Sequence, residues 1–171
     1  MGKLEQQERR NTTTVAEIFQ LVKNAKDKAD KVETLKKFKD NIGVQSILRL
    51  QFDPRFKFAL PEGVPSTLKE NNTPPGLGEE TILTAVRKLY LFIEGASPTL
   101  KQFKREGLFL GLLESLDKQE AELMLAVKDK KLDVGINRAI VDEVFPGLLP
   151  PKEKRTKNEK STKEVSNDTS V

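Results

Sequence analysis

The chemistry open to this chain is narrow, because its 171 residues include no histidine, no cysteine and no tryptophan. Imidazole bases, thiol nucleophiles, histidine or thiolate metal sites and disulfides are excluded by that count. Carboxylates remain. Glu94, Glu106, Glu114, Asp117, Asp129, Asp142 and Glu143 could hold magnesium through oxygen. None has a diagnostic spacing, and Glu106 and Glu114, on the most apolar segment, are expected to pair with Arg87, Arg105 or Arg138. Pro75-Gly-Leu-Gly78 runs into a helix start, where backbone amides could cradle a phosphate. Yet Glu79 and Glu80 stand where the anion would sit, no strand precedes, and no Gly-Lys-Ser/Thr ending follows. The expectation is a non-enzyme with no catalytic residues, no cofactor and no metal.

Binding chemistry is better represented. Arg55-Phe-Lys-Phe58 and Arg87-Lys-Leu-Tyr-Leu-Phe92 interleave cations with aromatic rings, as stacking surfaces do. In α-helical register, however, Tyr90 shares a face with Val86 and Ile93 and reads as core. Lys36, Lys37 and Lys39 end a lysine run broken by Asp27, Asp30, Glu33 and Asp40, the pattern of a solvated helical face. With Lys154 and Arg155 they are the candidate nucleic-acid contacts. Gly107-Leu-Phe-Leu-Gly111 places two glycines one turn apart, which suits a helix crossing within the chain or the seam of a homodimer. The protein is therefore expected to be a monomer or a homodimer. The net charge of +4 is unevenly spread: residues 12–58 hold ten Lys/Arg against six Asp/Glu, and residues 59–151 hold eleven against fourteen. The basic first third is the part suited to an anionic partner.

The elements that must position these residues are helices. Residues 1–11 read as a flexible N-terminus, 12–149 as one helical domain, and 150–171 as a disordered charged tail that cannot bury enough apolar surface to order itself. Within the domain, 12–58 is the basic helical part, 59–78 a Pro/Gly-rich loop and 79–149 the helical core. Thr14-Val-Ala-Glu17, Asp30-Lys-Val-Glu33 and Asp117-Lys-Gln-Glu120 fit capping boxes. Further helices are expected over 43–52, 79–94 and 137–145, and one runs from an N-cap at Ser97-Pro98 to Leu116. That last segment is apolar nearly all round after Gly107 and should be central. The fold class is all-α, about six to seven short helices in a compact bundle. The longest apolar runs, 89–93 and 107–113, are far short of the roughly 20 residues of a membrane span. No secretory h-region is present, so the cytosol is the expected compartment.

Five strings in order carry a resemblance: Phe52-Asp-Pro54 followed by Leu60-Pro-Glu-Gly-Val-Pro65; Lys88-Leu-Tyr-Leu-Phe-Ile-Glu-Gly95; Phe103-Lys-Arg-Glu106 with Phe109 and Leu112-Leu-Glu114; Ala126-Val-Lys-Asp-Lys-Lys-Leu132; and Val144-Phe-Pro-Gly-Leu148. Over about residues 14–149 the chain resembles an uncharacterised family of small proteins of T4-like tailed phages, including marine cyanophages. The resemblance implies a phage origin and one helical domain, and it brings no activity or catalytic residue. It departs at Gly107, where family members carry an aliphatic residue.

These readings lead to a phage accessory protein that binds a host or phage protein in the cytoplasm of an infected bacterium. Its candidate surface is Arg55, Phe56, Lys57, Phe58 and Glu62, because long irregular loops in compact domains are often functional. A sequence-nonspecific nucleic-acid-associated protein of replication or transcription and a minor virion component are the alternatives. No membrane contact is expected.

Overall fold

The computed structural model describes residues 13–69 and 71–152. The expected flexible N-terminus, most of the tail, Lys154 and Arg155 lie outside the described residues. The described part is all-helical: α1 (Val15–Asn24), α2 (Lys28–Lys37), α3 (Ile42–Phe52), α4 (Ile82–Ala85), which continues as a 3-10 helix (Val86–Phe92), α5 (Gln102–Ser115), α6 (Lys118–Lys128) and α7 (Arg138–Val144).

Helix starts follow side-chain chemistry. The Thr14–Glu17 capping box is formed, with Thr14 Oγ1 accepting from Glu17 N–H and Glu17 Oε2 from Thr14 N–H. It satisfies orphan amides at the first turn of α1. Helix α2 begins one turn earlier than Asp30-Lys-Val-Glu33 suggests: Asp27 is the N-cap, and Asp30 supplies the amide it accepts. The earlier start puts Lys31 inside the helix, where its ammonium caps α1 by donating to Val22 O (2.8 Å) and Lys23 O (3.3 Å). Asn41 caps α3, and Asp117 caps α6.

The core runs through α1, α3 and α6. Helix α1 packs on α2, α3 and α6, and α3 also meets α4 and the 3-10 helix. Val15, Ile18, Phe19 and Val22 of α1 are buried with Val44, Ile47 and Leu48 of α3 and Met124 and Val127 of α6, spaced as one helical stripe each. Helix α5 is not the central helix that its composition suggests. Arg105, Phe109, Leu112 and Leu113 are buried, whereas Phe103, Gly107, Leu108 and Gly111 are exposed.

Residues 79–94 differ most from expectation. Glu79 and Glu80 precede the helix, which starts at the Thr81 cap, and after Ala85 the chain tightens to 3-10 geometry. Three residues per turn aligns Leu89 with Phe92 on the core and turns Tyr90 outward, 55 % exposed. The Phe56-Lys-Phe58 segment pairs briefly with the end of this helix: Ala59 N–H donates to Phe92 O and Glu94 N–H to Lys57 O, both at 2.8 Å.

Helix α6 ends in a Schellman pattern in which Lys131 N–H donates to Ala126 O and Lys130 N–H to Val127 O. The left-handed residue is Lys130 (φ 57°), where glycine is usual. Its side chain explains the choice, since Nζ bonds Leu50 O and Asp53 O at the end of α3. A cation suits those orphan carbonyls. Burial holds this ammonium below the usual lysine range, against the pull of Asp53. Lys130→Ala, which keeps the strained backbone and loses the anchor, is expected to cost about 1–2 kcal/mol in urea unfolding. Lys130→Gly should cost about 1 kcal/mol less than the alanine variant because it relieves the left-handed strain.

A candidate protein-binding groove

The opening beside α5 is built by two walls. One is the loop 60–67, which turns at Gly63 (φ 87°), a left-handed conformation that explains the glycine in Leu60-Pro-Glu-Gly63. The Lys128-Asp-Lys-Lys131 string at the end of α6 clamps it. Lys128 Nζ donates to Pro61 O (2.6 Å), Gly63 N–H donates to Asp129 Oδ2 (3.1 Å), and Lys131 Nζ pairs with Glu62 Oε1 (2.6 Å). The Glu62 carboxylate holds the exposed Lys131 ammonium above the usual lysine range. Lys128 itself is buried, spent on Pro61 O and its neighbour Asp129.

The other wall is the first half of α5. Gln102 Nε2 ties it to the loop by donating to Ala59 O, and also bonds Glu106 Oε1, each at 2.9 Å. Between the walls lies an open groove of about 550 Å³ lined by Leu60, Val64, Pro65, Phe103, Gly107 and Leu110, with the buried Phe109 behind them. Phe103 is 90 % exposed. Nothing lies within 4 Å of a Cβ built on Gly107 or Gly111, so these glycines do not serve a helix crossing inside this chain. Gly107 instead keeps the groove open where an aliphatic side chain would narrow it.

The residues singled out from the sequence are divided by the fold. Glu62 sits on the groove rim, while Phe56 and Phe58 are half-buried and pack against the core. Lys57 is exposed. Arg55 lies away from the groove, beside a shallower depression with Arg138, Asp142 and Lys152. Its guanidinium and backbone N–H hold the fully buried Asp53, with Nη2 2.7 Å from Oδ2. Those bonds keep the Asp53 carboxyl below the usual aspartate range. Lys36, Lys37 and Lys39 project into solvent at the end of α2.

The acids do not converge: among the described residues no group of three or more could hold a metal ion. Glu106 bonds Gln102, and Arg105 turns to carbonyls instead of either expected glutamate. Two side chains stand where the sequence alone does not put them: Phe103, in the segment expected to be central, is exposed, and Glu120, in the string read as a capping box, is buried. Asp117 Oδ1 does accept from Glu120 N–H (2.9 Å), but the Glu120 carboxylate leaves the helix to accept from Ile82 N–H (2.9 Å). Its spacing with Met124 and Val127 on the core stripe was the available signal.

The fold and groove define a small all-helical domain with an apolar opening and no convergent acidic cluster among its described residues. No helix among those residues is long and apolar enough to cross a membrane. A family of unknown function, DUF6433, matches residues 18–134, and the chain belongs to that family. This agrees with the expectation of an uncharacterised family. No curated protein matches the chain.

Proposed function

We propose that this protein works without chemistry of its own, by binding an apolar segment of another protein in the groove between the loop 60–67 and α5, as a phage accessory protein in the cytoplasm of an infected bacterium. The observation that carries the reading is Phe103, a large ring left almost wholly in water beside an open apolar groove. Exposed aromatic and aliphatic side chains around a concavity are how protein-binding surfaces are built. The clamp of Lys128, Asp129 and Lys131 supports it further, because a wall held in place before binding lowers the entropy cost of association. The phage setting rests on the resemblance of the five strings.

Phe103→Glu tests the site without touching the core. Captured from infected cells with nuclease present, the wild-type chain should retain a stoichiometric partner, and the variant should lose it by about tenfold or more, as a hot-spot residue does. Equal capture by both chains would remove the groove from the proposal. The exposed Lys36, Lys37 and Lys39 favour a second reading, nucleic-acid association. It predicts nuclease-sensitive capture and binding that weakens steeply with salt.

A further inference from the structure

Residues 71–82 cross the corner between α5 and α6 as a strap. Asn71 Nδ2 bonds Leu116 O, Gly76 N–H donates to Asp117 Oδ2 (2.9 Å), Glu80 N–H to Ser115 O (3.1 Å) and Ile82 N–H to Glu120 Oε2 (2.9 Å). At the middle, a Cβ on Gly78 would lie 2.8 Å from both Asp117 N and Ser115 O, so only glycine lets the strap approach this closely. Pro74, Pro75, Gly76, Leu77 and Glu79 face solvent. Up to Thr81 the strap is therefore held chiefly by these polar tethers, while Ile82, at its end, is buried in the core as the first residue of α4.

Two tethers end on buried carboxyls, and the two differ. Asp117 uses both oxygens, Oδ1 for the α6 cap and Oδ2 for the strap. Glu120 is 0 % exposed and uses Oε2, while its equally buried Oε1 has no partner. A carboxylate in that position is under-solvated. The charged groups acting on it are both negative, Asp117 on its own helix and Glu17 on α1, while Glu80 of the strap is engaged 2.7 Å from Lys88.

We propose that Glu120 is a proton-operated latch for the strap: neutral, it holds residues 71–81 against the α5–α6 corner, and ionised, it lets them lift, with the Ile82 side chain staying in the core, so that water reaches the carboxylate. The backbone groups that act on Glu120 come from the end of the strap, at Ile82, and from the first turn of α1, at Val15; Val15 is core, so lifting the strap is the local route to hydration. Burial, outweighing the Ile82 and Val15 amides that favour the charged form, and then the neighbouring Asp117, push this carboxyl up to about 7, so ionisation strains the site through lost hydration and not through loss of the Ile82 bond itself. The direction follows. A glutamic acid raised in the folded state contributes its stability in full below its ordinary value of 4.5 and loses it progressively as pH rises to about 7. The latch is tightest below about pH 4.5 and loosens progressively as pH rises through about 7, independently of the groove and its partner.

Amide exchange of the full chain, corrected for the intrinsic pH dependence, reads this directly. Protection at Gly76, Glu80 and Ile82 should fall about tenfold between roughly pH 6 and 8 while amides of α1 stay constant, as local opening requires. Glu120→Gln, which cannot ionise, should remove the fall. Asp117→Asn keeps a competent helix cap and removes the nearest negative charge, at the expense of the Gly76 tether, so protection is lower at every pH and the midpoint, read at Glu80 and Ile82, should move to lower pH. A flat wild-type profile, the same fall in Glu120→Gln, or an unmoved midpoint in Asp117→Asn would each overturn the latch.

Discussion

Phe92→Ala is expected to lower the free energy of unfolding by about 3–5 kcal/mol, the range for removing a fully buried aromatic ring. Phe92 is 2 % exposed, and its ring centroid lies 5.2 Å from that of Phe109 at an interplanar angle of 72°. That edge-to-face pair is worth about 0.5–1.5 kcal/mol beyond the area it buries. It joins the end of the 3-10 helix to α5, and Phe109 also backs the groove. The variant should therefore loosen the groove as well as the core. Urea unfolding measures the first effect. A loss below about 1 kcal/mol, typical of a surface change, would mean that the 3-10 helix does not pack as described.

Arg105→Ala should cost about 2–4 kcal/mol, and Arg105→Lys should recover little of it. The guanidinium is 8 % exposed and spreads over four acceptors: Nε to Leu91 O (3.0 Å), Nη1 to Gln102 Oε1 (2.8 Å), and Nη2 to Ser97 O (3.1 Å) and Leu100 O (3.3 Å). It fastens the connection after the 3-10 helix onto α5. A lysine ammonium has the charge without the planar fork, so it reaches only part of this set. Glu106→Gln is the control and should stay within about 0.5 kcal/mol, because the arginine does not lean on that carboxylate. Rescue by lysine, measured in the same unfolding series, would reassign Arg105 to simple ion pairing.

The same residue explains why one helix boundary was hard to read. Ser97-Pro98 has the composition of a helix start, but Arg105 takes the Ser97 and Leu100 carbonyls that an earlier helix would use, and α5 begins at Gln102. The 3-10 helix was legible in principle: Val86, Leu89 and Phe92 recur every third residue. A 3.6-residue template places Tyr90 inside instead. Features set by neighbours in the chain are legible, including the Thr14–Glu17 box, the Asp117 cap and the all-helical class. Phe103, Lys128 and Glu120 could not be read the same way. Their roles depend on segments distant in the chain: Lys128 Nζ meets Pro61 O 67 residues away, and Glu120 meets Ile82 N–H 38 residues away. The helical spacing of Phe103 fits a buried stripe as well as the rim of a groove.

The Lys130 anchor also bears on how the chain assembles during synthesis. The last carbonyls of α3 wait for an ammonium 80 residues downstream, which at about 5–20 residues per second arrives roughly 4–16 s later. A helix of this length forms and melts in about a microsecond. Helix α3 can therefore form and melt millions of times before its last carbonyls gain this partner, which arrives only when the end of α6 has been made. Until then water must serve those carbonyls, so the seam between the two ends of the domain is one that the chain can close only after most of it has left the ribosome's active site.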